Sequence, residues 1–251
     1  MQQAESLRAK LSLLVYVGMR NWRPFISETV REITGKKIDQ IVAICLAPQN
    51  SSTSVGQYWE ALSAELKPGI AVQFVESWHD HPLLIWAFAE RLEPAWKQAS
   101  AETGAPVPVI FTAHSVPMST IQAGDPYEKQ AKETARRVGQ RIAGLSPELQ
   151  RFAFQSQGMS GGPWLGPTVE SAMLELSRQG HKGAVIAPIG FVSDNVEVLY
   201  DIDIAFREFA HAHGIRMWRP ESLNTSATLI AALASLASTH LAKAAGIISL
   251  A

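Results

Sequence analysis

The sequence predicts an α/β fold built from parallel sheets with helices on their faces. Three observations carry this. Short apolar runs that read as strands alternate with stretches of helical spacing along nearly the whole chain. Several of those runs are continuously apolar, as befits strands covered on both faces. The polar and turn-forming residues gather just after the runs, at the strand ends where sites form in such sheets.

In chain order, Leu11–Gly18 (LSLLVYVG) is the first strand candidate, and Pro24–Ile33 carries helical spacing after it. Ile38–Leu46 is the next strand, closed by Ala47-Pro48. A polar Ser/Thr loop, Ser51 to Ser54, leads into a helix over Val55–Leu66. A short strand at Ile70–Phe74 and a helix over Pro82–Lys97 follow. The small, turn-rich stretch Ala101–Pro106 is the best boundary signal, so two domains are expected, 1–104 and 105–251. The second domain reads as strand Val107–Thr112, helix Asp125–Ala143, strand Arg151–Gln155, helix Thr168–Arg178 and strand Gly183–Ala187. An acidic helix, a short strand at Ile215–Trp218 and an Ala-rich helix from Asn224 close the chain.

Composition bounds the function. The formal net charge of the 251 residues is −1, so neither a nucleic-acid partner nor an anionic membrane surface is indicated. The single cysteine, Cys45, lies inside an apolar run and reads as a small buried hydrophobe; one cysteine holds no internal disulfide and no iron–sulfur cluster. No signal-peptide pattern and no membrane-length apolar stretch is visible, and a cytoplasmic setting is the expectation. GxGxxG and GxxxxGK[ST] are both missing, which leaves dinucleotide and P-loop readings without an anchor.

The stretch that organises the chain is Pro188 to Asp201. It follows the strand Gly183–Ala187, with Ser193 or Asp194 as the expected helix N-cap. Helical spacing puts Val192, Val196, Leu199, Ile202, Phe206 and Phe209 on a core stripe. Asp194, Glu197 and Asp201 then share a second stripe, and stacked carboxylates there suit a divalent cation or a shared proton. A solvated acidic helix start favoured by the helix dipole gives the same pattern.

Two strand-end loops add to it. In Phe111-Thr112-Ala113-His114-Ser115-Val116-Pro117, a histidine leaves a strand on a constrained turn. Its imidazole, titrating near neutrality, suits a borderline cation or a proton, and equally a hydrogen bond to neighbouring backbone. The glycine-rich loop from Gln155 to Pro167 carries Met159 and Trp164, a flat apolar wall that suits an aromatic ligand or fills a gap in the packing. The pairs His79/His81 and His211/His213 resemble chelating His-x-His, but residues two apart face one way only on a strand. Both pairs sit at expected helix ends, with Asp80 as a cap.

Taken together, the loop 111–117, Gly124-Asp125-Pro126-Tyr127, Gln155-Ser156 with Pro163-Trp164-Leu165-Gly166-Pro167, and Pro188 to Asp201 resemble the ferrochelatase family, in order and spacing. Gly18-Met19-Arg20-Asn21-Trp22, Ala47-Pro48-Gln49, Glu76-Ser77-Trp78 and Arg219 to Asn224 extend the likeness over nearly the whole chain. The resemblance implies two similar Rossmann-like, chelatase-type domains with parallel sheets and a cleft between them. It implies insertion of Fe2+ into a porphyrin, coproporphyrin III or protoporphyrin IX, in haem biosynthesis, with release of two protons. His114 and Glu197 match the family's essential pair, as metal ligands and catalytic groups. Arg20, Ser51, Ser54 and Tyr58 match porphyrin-lining positions, with Met159 and Trp164 added as the apolar wall. Asp194 and Asp201 form an outer acidic stripe. No tightly bound cofactor is implied; Fe2+ is a substrate. One imidazole with one carboxylate is sparser than a structural metal site, which suits an ion that must be handed on.

The chain departs from the family pattern at Ala205, where another acidic residue is expected, and at Asn21, where some members carry histidine. The family also has a βα segment ahead of the part that matches here, so the first domain is expected to be incomplete, its sheet edge exposed and the chain prone to self-association through it. Met1 is accordingly expected to be a misassigned or internal start, ahead of the readings that another chain covers the edge or that the chain is a diverged non-catalytic member. A non-catalytic porphyrin- or haem-binding protein on a truncated chelatase scaffold is the alternative function.

Overall fold

A computed structural model describes residues 1–158 and 162–244. The chain divides into two compact units, one of residues 1–78 with 225–251 and the other of residues 79–224. The boundary expected at 104/105 therefore falls inside the second unit. The reason is that helix α4, Pro82–Thr103, runs one and a half turns beyond its expected end before the left-handed Gly104 stops it. The closing Ala-rich helix returns to the first unit rather than completing the second.

In the first unit, α1 (Gln2–Leu11) and α2 (Ile26–Gly35) precede strand β1 (Gln40–Ile44). A π-helical turn, Ser52–Gly56, runs into α3 (Gln57–Ser63), and β2 (Ala71–Val75) pairs with β1 in parallel, Gln40 opposite Ala71 and Ile44 opposite Val75. α2 starts where Glu28 reaches back to the Phe25 N–H at 3.0 Å, half of a capping box. The Trp78 indole N–H donates to the Cys45 carbonyl at 2.9 Å, tying the chain after β2 beneath β1, and Cys45 is buried as expected.

The strand expected over Leu11–Gly18 does not form. Leu11 ends α1, and residues 12–18 run without a strand ladder. A strand exists only where a neighbour takes its backbone hydrogen bonds, and β1 and β2 pair with each other. A cavity of about 450 Å³ lies here, lined by Leu13, Val15 and Tyr16 together with β1 residues Ile41 to Ile44 and Cys45 just after them. Helix α9 (Ala227–Ala244) packs on β1 and β2, and its Ala237 and Leu241 also border the cavity.

The second unit holds a four-stranded sheet in the order β4-β3-β5-β6, parallel at each pairing: β3 Val109–His114, β4 Gln150–Gln155, β5 Gly183–Pro188 and β6 Arg216–Trp218. β3 and β5 are the inner strands, and all of their residues but His114 are buried, which is why their sequences read as unbroken apolar runs. After the short α5 (Met118–Gln122), helix α6 (Tyr127–Gly139) packs with α4, and α4 packs on β5. On the core side, α7 (Val169–Arg178, capped by Thr168 Oγ1) contributes Val169, Met173 and Leu176. They pack with Ile110, Ile186, Val198, Ile202 and Phe206.

The acidic helix is a π-helix from Glu197 to Phe206, followed by the short α8, Arg207–Ala212. This overturns two expectations. Asn195, rather than Ser193 or Asp194, caps its start, its Oδ1 accepting from the Val198 N–H at 2.8 Å. Of the expected stripe, Val192, Ile202 and Phe206 are buried and Phe209 packs against the core, but Val198 belongs with them, while Val196 and Leu199 are exposed at 80% and 48%. Bonding from i to i+5 widens each turn, so a stripe drawn at 3.6 residues per turn drifts off the core.

Candidate functional site

β3 is the first strand of its sheet, and the chain crosses to β4 on one side and then to β5 on the other. Such an order leaves a crevice at the carboxyl ends of the strands where the connections part, between β3 and β5. His114 is the last residue of β3, and Glu197 opens the helix after β5. The topology thus delivers both residues to one place. The loop between them and the sheet needs Gly190, where a Cβ would lie 3.1 Å from the Ala113 side chain and 3.3 Å from its Cα. With no side chain there, the Ile189 N–H donates to the Thr112 carbonyl at 2.9 Å and the loop lies flat on β3.

His114 Nε2 is 3.1 Å from Glu197 Oε1, and Nδ1 is 2.5 Å from the Ser115 carbonyl. A carbonyl only accepts, so the proton of the neutral ring belongs on Nδ1. Nε2 then presents a lone pair to a carboxylate oxygen, and the two repel unless a proton or a cation lies between them. Burial alone would pull the imidazole pKa down, yet it is raised above its ordinary value. The hydrogen bond to Glu197, the Ser115 carbonyl and the charges of Glu197 and Asp201 together outweigh desolvation. The pair is only part-buried, with side chains 34% and 42% exposed, so an ion can reach it.

The three carboxylates of the expected stripe have separate partners. Asp201 accepts from the Ser156 hydroxyl, on a residue whose φ of 59° is unusual for serine, directly after β4. Asp194 accepts from Asn224 Nδ2 at 2.8 Å and lies 3.8 Å from Arg219. Its carboxyl is held below the usual range, first by a hydrogen bond from Ser222 and then by Asn224, against a smaller cost of burial. Asp194 therefore fastens the loop at 219–224, while Asp201 and Glu197 remain with the crevice. Sequence reading missed Asp203, which takes a bidentate pair from Arg219 at 2.7 and 2.8 Å. It quoted Tyr127 within a motif but gave it no role; its hydroxyl donates to the His114 carbonyl at 3.0 Å. Both join residues far apart in sequence, which no local spacing reveals.

Trp164 lies on Gly158, whose added Cβ would meet the indole at 2.6 Å, and bridges to Pro117 beside the His114 loop. Met159 lies outside the described residues. In the first unit, the Arg20 guanidinium sits 5.5 Å from the Tyr58 ring centroid, and burial raises the Tyr58 pKa. Ser51 is buried, its Oγ bonded to Thr53, and Ser54 donates its N–H to the Ser51 carbonyl at 3.1 Å, so these serines build the turn itself. His81 rather than Asp80 caps α4, its Nδ1 accepting from Leu83 N at 3.3 Å, and His213 Nδ1 lies 2.8 Å from the Phe209 carbonyl. Neither His-x-His pair is arranged as a chelate. Among the described residues, no group of three or more His, Cys, Asp and Glu is placed to hold a metal.

The parallel α/β sheet thus brings an imidazole and a carboxylate together at its switch point, a pair suited to a loosely held divalent cation. The solved structure of SirB from Bacillus subtilis with Fe3+ has that fold, with a TM-score of 0.65 at 13% identity, covering 98% of this chain and 89% of that one. The family model for ferrochelatase matches residues 1–241. A ferrochelatase of Acidobacterium capsulatum is 50% identical over 96% of this chain and 78% of its own length. A coproporphyrin III ferrochelatase of Geobacillus thermodenitrificans is 33% identical over 96% and 77%. The chain belongs to the ferrochelatase family.

Proposed function

We propose that this chain inserts Fe2+ into a porphyrin, coproporphyrin III or protoporphyrin IX, in haem biosynthesis. The observation that carries the proposal is the 3.1 Å approach of His114 Nε2 to Glu197 Oε1 at the sheet's switch point. Metal bonds from nitrogen and oxygen ligands are about 2.0–2.2 Å, so one ion can bond both atoms at close to a right angle. With two protein ligands the remaining positions are free for water and then for the pyrrole nitrogens. The overall step balances simply: two pyrrole N–H protons leave, one Fe2+ takes their place, and the iron stays divalent. As the ion passes from His114 onto the pyrrole nitrogens Nε2 is freed; it then accepts each leaving proton and passes it to solvent, and Glu197 stabilises the imidazolium formed each time. Asp201, held by Ser156, adds negative charge beside this path.

The porphyrin contacts belong to the same proposal: Arg20, Ser51, Ser54 and Tyr58 from the first unit, Trp164 from the second, and Met159. Of these, Tyr58 with Arg20 above its ring, and Trp164, have the flat apolar surface a macrocycle needs. Self-association through the edge of β1 is a further part of it, supported by the cavity there and by exposed Leu13 and Leu14. No helix among the described residues is long and apolar enough to cross a membrane. We place the reaction in the cytoplasm, with which the free thiol of Cys45 is consistent.

The test is anaerobic insertion of Fe2+ into each porphyrin, followed by visible absorption. His114→Ala and Glu197→Gln are each expected to abolish turnover while leaving porphyrin binding within about threefold. Unchanged turnover in either variant removes that residue from the mechanism. A porphyrin absorbance shift with no insertion by the unaltered chain would instead establish the binding-protein reading.

A further inference from the structure

His114 is held at more points than its ring. Ser115, next to it, is fully buried and fixed at both ends: its N–H donates to the Gln155 carbonyl at 2.7 Å and its hydroxyl to the Leu165 carbonyl at 2.9 Å. The Ser115 carbonyl in turn receives His114 Nδ1. The peptide of His114 itself is reached from another element. Tyr127, the first residue of α6, is 7% exposed, and its hydroxyl donates to the His114 carbonyl at 3.0 Å. Tyr127 is itself anchored, its N–H donating to Asp125 Oδ1 at 3.0 Å.

Phenylalanine would fill the same space with no polar atom to satisfy, so a buried phenol at this point needs a reason beyond packing. Burial first, then the charges of Glu197 and Asp125, push its pKa well above the ordinary tyrosine range. Its proton points at a carbonyl, which accepts a hydrogen bond and passes no proton on. What remains is direction: one hydrogen bond, from a helix start, onto the peptide that carries the imidazole.

We infer that Tyr127 is a positioning residue for the reaction, its hydroxyl holding the His114 backbone so that Nε2 stays aimed at Glu197 and at the ion they share. This rests on the function proposed above. Reacting geometries are sensitive at this scale, since displacement of a catalytic group by about 1 Å costs up to about a hundredfold in rate.

The experiment uses the full chain, with Co2+ as a spectroscopic probe of the His114–Glu197 pair and Fe2+ insertion as the kinetic readout. For Tyr127→Phe, kcat is expected to fall about tenfold or more with the porphyrin KM within about twofold. The visible Co2+ band should shift and Co2+ binding should weaken about tenfold. A purely structural hydrogen bond would lower the melting temperature and leave kcat and the Co2+ band alone; that result overturns the inference. Asp125→Ala, which releases the Tyr127 N–H and keeps the hydroxyl, should move the same readouts in the same direction by less. It decides the matter if the phenylalanine variant does not fold, and an unaltered band and kcat there overturn the inference too. An unaltered chain that neither inserts iron nor shows a Co2+ band sensitive to His114→Ala would overturn the proposed function and this inference together. An active chain indistinguishable from Tyr127→Phe would overturn this inference alone.

Discussion

Replacing Asp203 by Asn should unfasten the π-helix from the loop that follows β6. Asp203 lies on the π-helix that begins with Glu197, and both its oxygens take hydrogen bonds from Arg219, at 2.7 and 2.8 Å. The Arg219 side chain is 14% exposed and that of Asp203 27%, so the pair is more buried than a surface bridge yet not sealed. Breaking a fully buried pair costs about 3–5 kcal/mol, an exposed one about 0–1, and a single charge-assisted hydrogen bond contributes about 1.5–3. Arg219 keeps weaker partners in the variant, the Pro220 carbonyl at 3.0 Å and Asp194 at 3.8 Å. The balance is a loss of about 2–3 kcal/mol, or about 4–12 °C in melting temperature for a unit of this size. Urea unfolding of the unaltered chain, Asp203→Asn, Arg219→Met and the double variant completes a cycle, in which the coupling should exceed about 1 kcal/mol. A single-variant loss within about 0.5 kcal/mol, or a coupling of zero, would refute the reasoning, because the two bonds would then do no more than a solvated ion pair.

Three further outcomes follow from particular contacts. Ile202→Ala, at a fully buried position in the core, should cost about 2–5 kcal/mol in urea unfolding, and Leu199→Ala, 48% exposed, less than about 0.5; comparable costs at the two positions would mean the helix winds as an ordinary α-helix. Gly190→Ala should cost about 1–2 kcal/mol and slow insertion severalfold, because the new Cβ meets Ala113 and lifts the loop leading to Glu197; unchanged stability and rate would show that the loop gives way freely. Asp194→Asn has a pH signature. The folded carboxyl titrates below its unfolded value of about 3.9, so its stabilisation is present above that pH and fades as pH falls through the folded value. The unaltered chain should therefore exceed the variant in stability near pH 6 and lose that lead in acid, and a lead that is constant or grows towards low pH would contradict the assignment.

The residues differ in how far their sequence neighbourhood foretold them. His114 stood out because an apolar strand ending in a polar turn is a local pattern, and the acidic stripe because a glycine-bearing turn after a strand introduces a helix; the family resemblance alone picked Glu197 out of that stripe. Asp194 looked equivalent to Glu197 and Asp201 at helical spacing, but the spacing assumed an α-helix. The π-helix begins at Glu197, after Asp194, and the loop at 219–224 claims the Asp194 carboxylate instead. The Leu11–Gly18 run has strand composition but no ladder, since β composition expresses fitness for a pleated surface that something else must supply.

The sequence by itself determined the alternation of strands and helices, the burial of β3 and β5, and the presence of an imidazole and a carboxylate at strand ends. These follow from periodicity and turn chemistry acting over a few residues. Only the tertiary structure decided that the two groups stand 3.1 Å apart, that the fastening runs through Tyr127, Asp203 and Arg219, and that residues after 224 join the first unit. Those depend on strand order and on hydrogen bonds between residues 13 to 83 positions apart, and chain connectivity alone does not bring such residues together.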